Sequence, residues 1–175
     1  MCAYRLRVVT AEDAKTLFDW TNDPVTRQNS FQSKPVLWEE HIAWLQRKLE
    51  DENCFFFILT DGERDYGTIR VDYLPAEGYG LISFSVAPGQ RGKGHGRRML
   101  FLLENFLKEF QAEEYKQKRL NLTLLRGEVK KENTASRKCF EANGYEMKNE
   151  MSGDLIFSKK IGSFENITGA GEPKI

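Results

Sequence analysis

The stretch SVAPGQRGKGHGRRML, Ser85–Leu100, decides how this chain is read. A strand ends at Val86, Pro88 turns the chain, and Gly92, Gly94 and Gly96 alternate just before a helical pattern begins. Glycine admits positive φ and lets a ligand come close to the backbone. Free N–H groups at a helix start form an anion-binding nest, and the helix dipole reinforces it. Arg91, Lys93, Arg97 and Arg98 surround that nest with positive charge. The chemistry implied is a phosphate or pyrophosphate cradle; the plainer alternative is a tight basic surface turn. Two commoner phosphate motifs fail the test. A GxGxxG fingerprint from Gly92 needs glycine where Arg97 stands, and a P-loop from Gly89 meets His95 where it needs lysine.

Working outward, Tyr4–Val9 alternates like a strand, and Thr10 with Asp13 predicts a capped helix carrying Leu17, Phe18 and Trp20. That helix breaks at Asn22-Asp23-Pro24, and a polar stretch follows. Leu37–Leu49 spaces Trp38, Ile42, Leu45 and Leu49 as a second helix does. Cys54–Thr60, Tyr66–Leu74 and Gly80–Val86 predict three strands, with a turn at Asp61-Gly62. A long amphipathic helix runs from about Arg97 to Gln111 with Leu100, Leu103, Phe106, Leu107 and Phe110 on one side. Leu122–Val129 predicts a strand, Asn133–Ala142 a short helix, and Tyr145–Met151 with Leu155–Lys159 the closing strands. There is no internal repeat or low-complexity block. The expectation is one α/β (α+β) domain over 1–162 and a polar, flexible tail over 163–175.

Composition agrees with one domain. The chain has 175 residues, 40% of them hydrophobic and 30% charged, enough apolar material for a core. Lys+Arg and Asp+Glu are equal at 26 each, which argues against a chain built to track DNA or RNA. Cys2, Cys54 and Cys139 form no CxxC, and His41 and His95 are the two histidines; no metal site is expected. The amino terminus lacks a signal-peptide pattern and no apolar run approaches the ~20 residues of a spanning helix. A cytoplasmic protein with free thiols, away from membranes, is the expectation.

Arg91-Gly92-Lys93-Gly94-His95-Gly96 resembles the R/Q-x-x-G-x-G/A signature of the GNAT N-acetyltransferases. The strand ending at Ser85-Val86, the helix opening with Arg97-Arg98, and the later Glu128-Val129, Asn133, Ser136 and Asn143-Gly144-Tyr145 match that family's two motifs, covering about Gly80–Met147. The resemblance implies a mixed, mostly antiparallel central sheet with a V-shaped splay, flanked by helices, and acetyl-coenzyme A as cosubstrate. The backbone of Phe84 and Val86 would pair with the pantetheine arm, the Val86 N–H would polarise the thioester carbonyl, and Arg91–Arg97 with Asn133 would hold the coenzyme. Asn133 is equally well suited to cap the helix it precedes.

The same resemblance implies direct attack of an amine on the thioester. An alkyl ammonium titrates near ~10.4 and must first lose a proton. Glu128 matches a glutamate that serves as base in some ribosomal-protein acetyltransferases, and Asp72 is a second candidate; a solvated strand glutamate is the plain alternative for Glu128. Phe140 departs from the pattern, because many members carry there a tyrosine that protonates the leaving thiolate. Ser136, or a water, is the expected substitute. For the acceptor, Trp20-Thr21-Asn22-Asp23-Pro24 with Arg27, then Glu40-His41 and Trp44, resemble the W-x-N-D-P region of Rim-type enzymes and of nucleotide-linked amino-sugar acetyltransferases, such as those of pseudaminic acid synthesis. Trp20, Asn22 and Trp44, with Arg27 and Arg70 meeting phosphate, are thus expected to touch the acceptor. A protein N-terminal amine and a catalytically silent acyl-coenzyme A module stay open as alternatives. A homodimer is compatible with all of these.

Overall fold

The alternating and apolar runs of the chain assemble into one sheet of order β1-β2-β3-β4-β5-β7-β6. The computed structural model describes residues 3–116, 122–149 and 153–161. Its strands are β1 Arg5–Val8, β2 Cys54–Thr60, β3 Asp65–Leu74, β4 Tyr79–Val86, β5 Leu124–Val129, β6 Glu146–Asn149 and β7 Leu155–Lys160. Every neighbouring pair is antiparallel except β4 and β5, which run parallel at the centre. The helices are α1 Ala14–Thr21, α2 Pro24–Asn29, α3 Trp38–Glu50, α4 His95–Lys116 and α5 Thr134–Ala142, with a 3-10 turn at Ala11–Asp13.

The strands follow the sequence expectations to within a few residues, but the polar stretch after Pro24 is a helix. Asp23 caps α2 by accepting the Thr26 N–H at 3.1 Å, and Pro24 occupies the first turn, where its missing N–H and fixed φ cost nothing. Six residues are too few to show an apolar period. The expected tail, 163–175, and Cys2 lie outside the described residues, as do the last two residues of the Tyr145–Met151 strand.

Two layers cover the sheet. On one face Met99, Leu100, Leu103 and Leu107 of α4 are fully buried in a cluster with Ile69, Val71, Ile82, Leu125 and Phe157. On the other, Leu17 of α1 and Leu45 of α3 pack with Val9, Phe56 and Ile58. Each such side chain contributes about 1.5–3 kcal/mol of apolar burial. Charged ties set the helices on this frame. Arg7 pairs with Asp13 at 2.7 Å and Asp65 at 2.6 Å, joining the helix-1 start to β1 and β3. Under the glycine loop, Lys159 of β7 pairs with the buried Glu104 of α4 at 2.6 Å and donates to the Asn143 carbonyl at 2.6 Å. Asn143 in turn donates to the Arg97 carbonyl at 3.2 Å, locking α5 to the first turn of α4.

Candidate active site

The β4–β5 ladder stops short. Pairing runs from Tyr79 with Leu124 to Ile82 with Gly127, while β4 continues to Val86 and β5 to Val129. The two strands therefore diverge beyond Ile82 and Gly127, and the gap opens toward the N-terminus of α4. This is the V-shaped splay expected from the motif. At its apex lies the ring of Phe140, stacked on Phe157 at 5.2 Å and edge-on to Phe84 at 5.6 Å.

The loop between β4 and α4 has the geometry of an anion cradle. Gly92 and Gly94 adopt φ of +77° and +80°, which L side chains rarely take, and a Cβ on either would meet only open space. Gly96 is needed for the opposite reason: a Cβ there would lie 2.8 Å from Cys139 Sγ and 3.1 Å from the Phe84 ring. The loop thus presents bare backbone at the start of a long helix, whose orphan N–H groups favour an anion. Beside it lies a cleft of about 740 Å³, walled by Val25, Thr26 and Asn29 of α2 and its C-cap Ser30, the Phe84–Val86 end of β4, the loop, and α5. A glycine cradle, a positive helix end and an elongated cleft leading to a splayed strand pair fit the pyrophosphate and arm of a coenzyme A thioester.

Several expected ligands act differently from the sequence reading. The Arg91 guanidinium pairs with Asp23, the α2 cap, and donates to the Thr26 hydroxyl at 3.2 Å, while Arg91 also walls the cleft described above. The His95 imidazole is 4% exposed, tilted against Tyr66 at 4.5 Å and Tyr4 at 5.5 Å. Burial, with the charges of Arg98 and Lys93, pushes its pKa down and keeps it neutral. Its side chain roots the loop on β1 and β3. Arg98 does likewise, stacking 4.0 Å over the Tyr4 ring. Lys93 donates to the Gly89 carbonyl and Gln90, both at 3.1 Å, and is exposed beside the loop, as is Arg97.

Asn133 caps α5, accepting the Ser136 N–H at 3.1 Å while its amide donates to the Ser136 hydroxyl at 3.2 Å. Both side chains wall the cleft. Cys139, which the sequence reading left aside, also walls it; burial raises its thiol pKa.

The opposite sheet face carries the acceptor candidates. Arg70 pairs in register with Ser83, and Glu128 follows Gly127, the last β5 residue paired to β4. Arg70, Ser83 and Glu128 therefore form a row across β3, β4 and β5 at the level where the splay opens, on one face by strand alternation. Ser83 and Glu128 are exposed, and Glu128 pairs with Arg126 at 2.9 Å. Arg70 lies 5.0 Å from the Trp44 ring and pairs with Asp72 at 2.8 Å; Lys48 of α3 pairs with Asp72 at 2.7 Å. Burial alone would raise the Asp72 carboxyl, but Arg70 and Lys48 outweigh it and hold it below the usual range. Asp72 thus lies between two cations and is engaged by both, whereas Glu128 is exposed with Arg126 beside it.

Asn22 and Arg27, expected to touch the acceptor, hold the chain around α2. Asn22 accepts the Val36 N–H at 2.8 Å and donates to the Val36 carbonyl at 3.0 Å. Arg27 donates to the carbonyls of Thr21 at 2.6 Å, Gln32 at 3.1 Å and Lys34 at 3.3 Å. Its Nη2 donates to the Ser30 hydroxyl at 3.1 Å, and burial lowers its pKa. Trp20 is packed against the Leu17–Phe56 cluster, away from the cleft walls. What the sequence reading missed was α2 itself, whose signal was the Asp23-Pro24 pair of cap and first-turn proline.

The sequence matches the family model for the acetyltransferase (GNAT) domain over residues 4–146, so the chain belongs to that family and is an acetyl-coenzyme A-dependent N-acetyltransferase. Solved structures of the same fold include an aminoglycoside acetyltransferase, AAC(6')-Ib, with coenzyme A: TM-score 0.74, 17% identity, covering 95% of this chain and 100% of that one. The ribosomal L7/L12 N-acetyltransferase RimL with coenzyme A gives 0.74 at 11% identity, covering 92% and 96%. Spermidine N-acetyltransferase from Vibrio cholerae with coenzyme A and spermine gives 0.69 at 18%, covering 90% and 95%. No curated protein sequence matches the chain. Among the described residues no helix is long and apolar enough to cross a membrane, and no cluster of potential metal ligands occurs.

Proposed function

We propose that this enzyme acetylates the primary amine of a nucleotide-linked amino sugar, with the acceptor on the α3 side of the sheet and the coenzyme in the splay. The observation that carries the reading is the row Arg70, Ser83 and Glu128 across the level where the splay opens, with Trp44 over Arg70. An aromatic face, a cation and paired carboxylates suit a sugar ring bearing an amine and a phosphate. The W-x-N-D-P resemblance supports the same acceptor class, although Asn22 and Arg27 hold the loop and leave Arg70 as the phosphate candidate.

Acetyl-coenzyme A supplies the activated acetyl thioester. Glu128 accepts the ammonium proton, directly or through a water, so that the amine can attack. The Val86 N–H donates to the thioester carbonyl oxygen as negative charge builds there. Phe140 has no proton to give the departing sulfur; the Ser136 hydroxyl, or a water, supplies it. Thiols titrate near ~8.5, so this last assistance is modest.

Thiol release from acetyl-coenzyme A, measured across a panel of amines, tests the acceptor. A 4-amino-sugar nucleotide should outpace aminoglycosides, polyamines and peptide N-termini. Faster acetylation of a peptide N-terminus would replace the sugar reading with a Rim-type activity, and coenzyme binding with no thiol released by any amine would make the domain a silent acyl-coenzyme A module.

A further inference from the structure

The short helix α2 crosses the open end of the V. On the β4 side, the Asp23 carboxylate pairs with Arg91 of the glycine loop, and the Thr26 hydroxyl lies 3.5 Å from that of Ser85. On the β5 side, Lys130 Nζ donates to the Gln28 carbonyl at 3.0 Å. The Asn22 and Arg27 clamps hold the chain before and after it. Val25, Thr26, Asn29 and Ser30 meanwhile wall the cleft. The helix thus touches both arms of the splay and walls the cleft between them, while its cap is tied to the cradle that would hold the pyrophosphate.

We infer that Asp23 is a positioning residue: through Arg91 it latches α2 across the splay, and release of that latch controls how fast the coenzyme enters and leaves. The inference rests on the assignment of the cleft to acetyl-coenzyme A. A latch made in the free and the bound protein alike stabilises both relative to the open state between them. Loosening it therefore speeds association and dissociation together and leaves affinity nearly unchanged. A ligand contact behaves otherwise, since its loss appears mainly as faster dissociation.

Asp23→Asn is the informative variant, because asparagine caps a helix as well as aspartate does and loses only the charge. Lys130→Met releases the second tether without touching the cap. Stopped-flow exchange of fluorescently labelled coenzyme A on the full-length protein should show both rate constants rising about two- to fivefold in each variant, the range expected for losing one partly exposed ion pair in Asp23→Asn and one exposed hydrogen bond in Lys130→Met, with Kd changed less than about twofold. A rise in dissociation alone, or no change in either rate, overturns the latch. Failure of the unsubstituted protein to bind the labelled coenzyme would instead overturn the cleft assignment beneath it.

Discussion

Gly127 and Phe140 occupy one space: a Cβ added to Gly127 would lie 2.2 Å from the Phe140 Cζ. Gly127 is also the last β5 residue paired to β4. The aromatic ring of α5 therefore rests directly on the backbone where the two strands part. Gly127→Ala must displace a ring that is 2% exposed and stacked on Phe157. Overpacking of this kind costs about 1–3 kcal/mol. Thermal melting should show that loss, together with weaker coenzyme binding as the apex shifts.

The cradle makes a separate prediction. Gly94→Ala places an L residue at φ of +80°, at a cost of about 1–2 kcal/mol, and puts a methyl group where the loop presents bare backbone. Coenzyme A affinity, measured by calorimetry, should fall about tenfold or more, which corresponds to ~1.4 kcal/mol.

The two carboxylates should separate cleanly. Glu128→Gln should lower kcat by about 10²–10⁴ and remove the basic group from the pH–rate profile, with little effect on melting. Asp72→Asn should do the reverse: turnover should fall less than about tenfold, while stability drops by ~1–3 kcal/mol as Lys48 and Arg70 lose a charged acceptor. Steady-state kinetics and melting of both variants check the assignment.

Acid stability follows from the same carboxylates. Asp13, held by Arg7, and Asp72 lie below their ordinary value of 3.8, and Asp61, accepting from Tyr66, is pulled down to about 2. A carboxyl with a lowered folded pKa contributes stability that is complete above its unfolded value and lost as pH falls through the folded one. The melting temperature should therefore show no loss from these groups above about pH 5 and fall between 3.8 and about 2. Asp72→Asn should shallow that fall.

The strands and long helices were legible because apolar period and burial coincide in them, as in the row Leu100, Leu103 and Leu107. The loop's geometry was legible because alternating glycines before a helix point to positive φ and close backbone approach. Three things were not. The splay is a matter of register between β4 and β5, which periodicity does not encode; the motif resemblance alone pointed to it. The six residues of α2 show no period. The partners of Asn22, Arg27 and Arg91 lie across loops whose course is set by those same side chains, so sequence alone does not show what they hold within the fold. Glu128 and Arg70 fall in one row because the β3–β4–β5 register sets them on one face.

A crystal structure of the protein with coenzyme A tests the central claim most directly. The account predicts pantetheine amides bonded to the backbone of Phe84 and Val86 in the gap beyond Ile82 and Gly127, with the pyrophosphate on the N–H groups of Gly92–Gly96. A coenzyme bound outside the splay, or β4 and β5 closed into a continuous ladder, would contradict it.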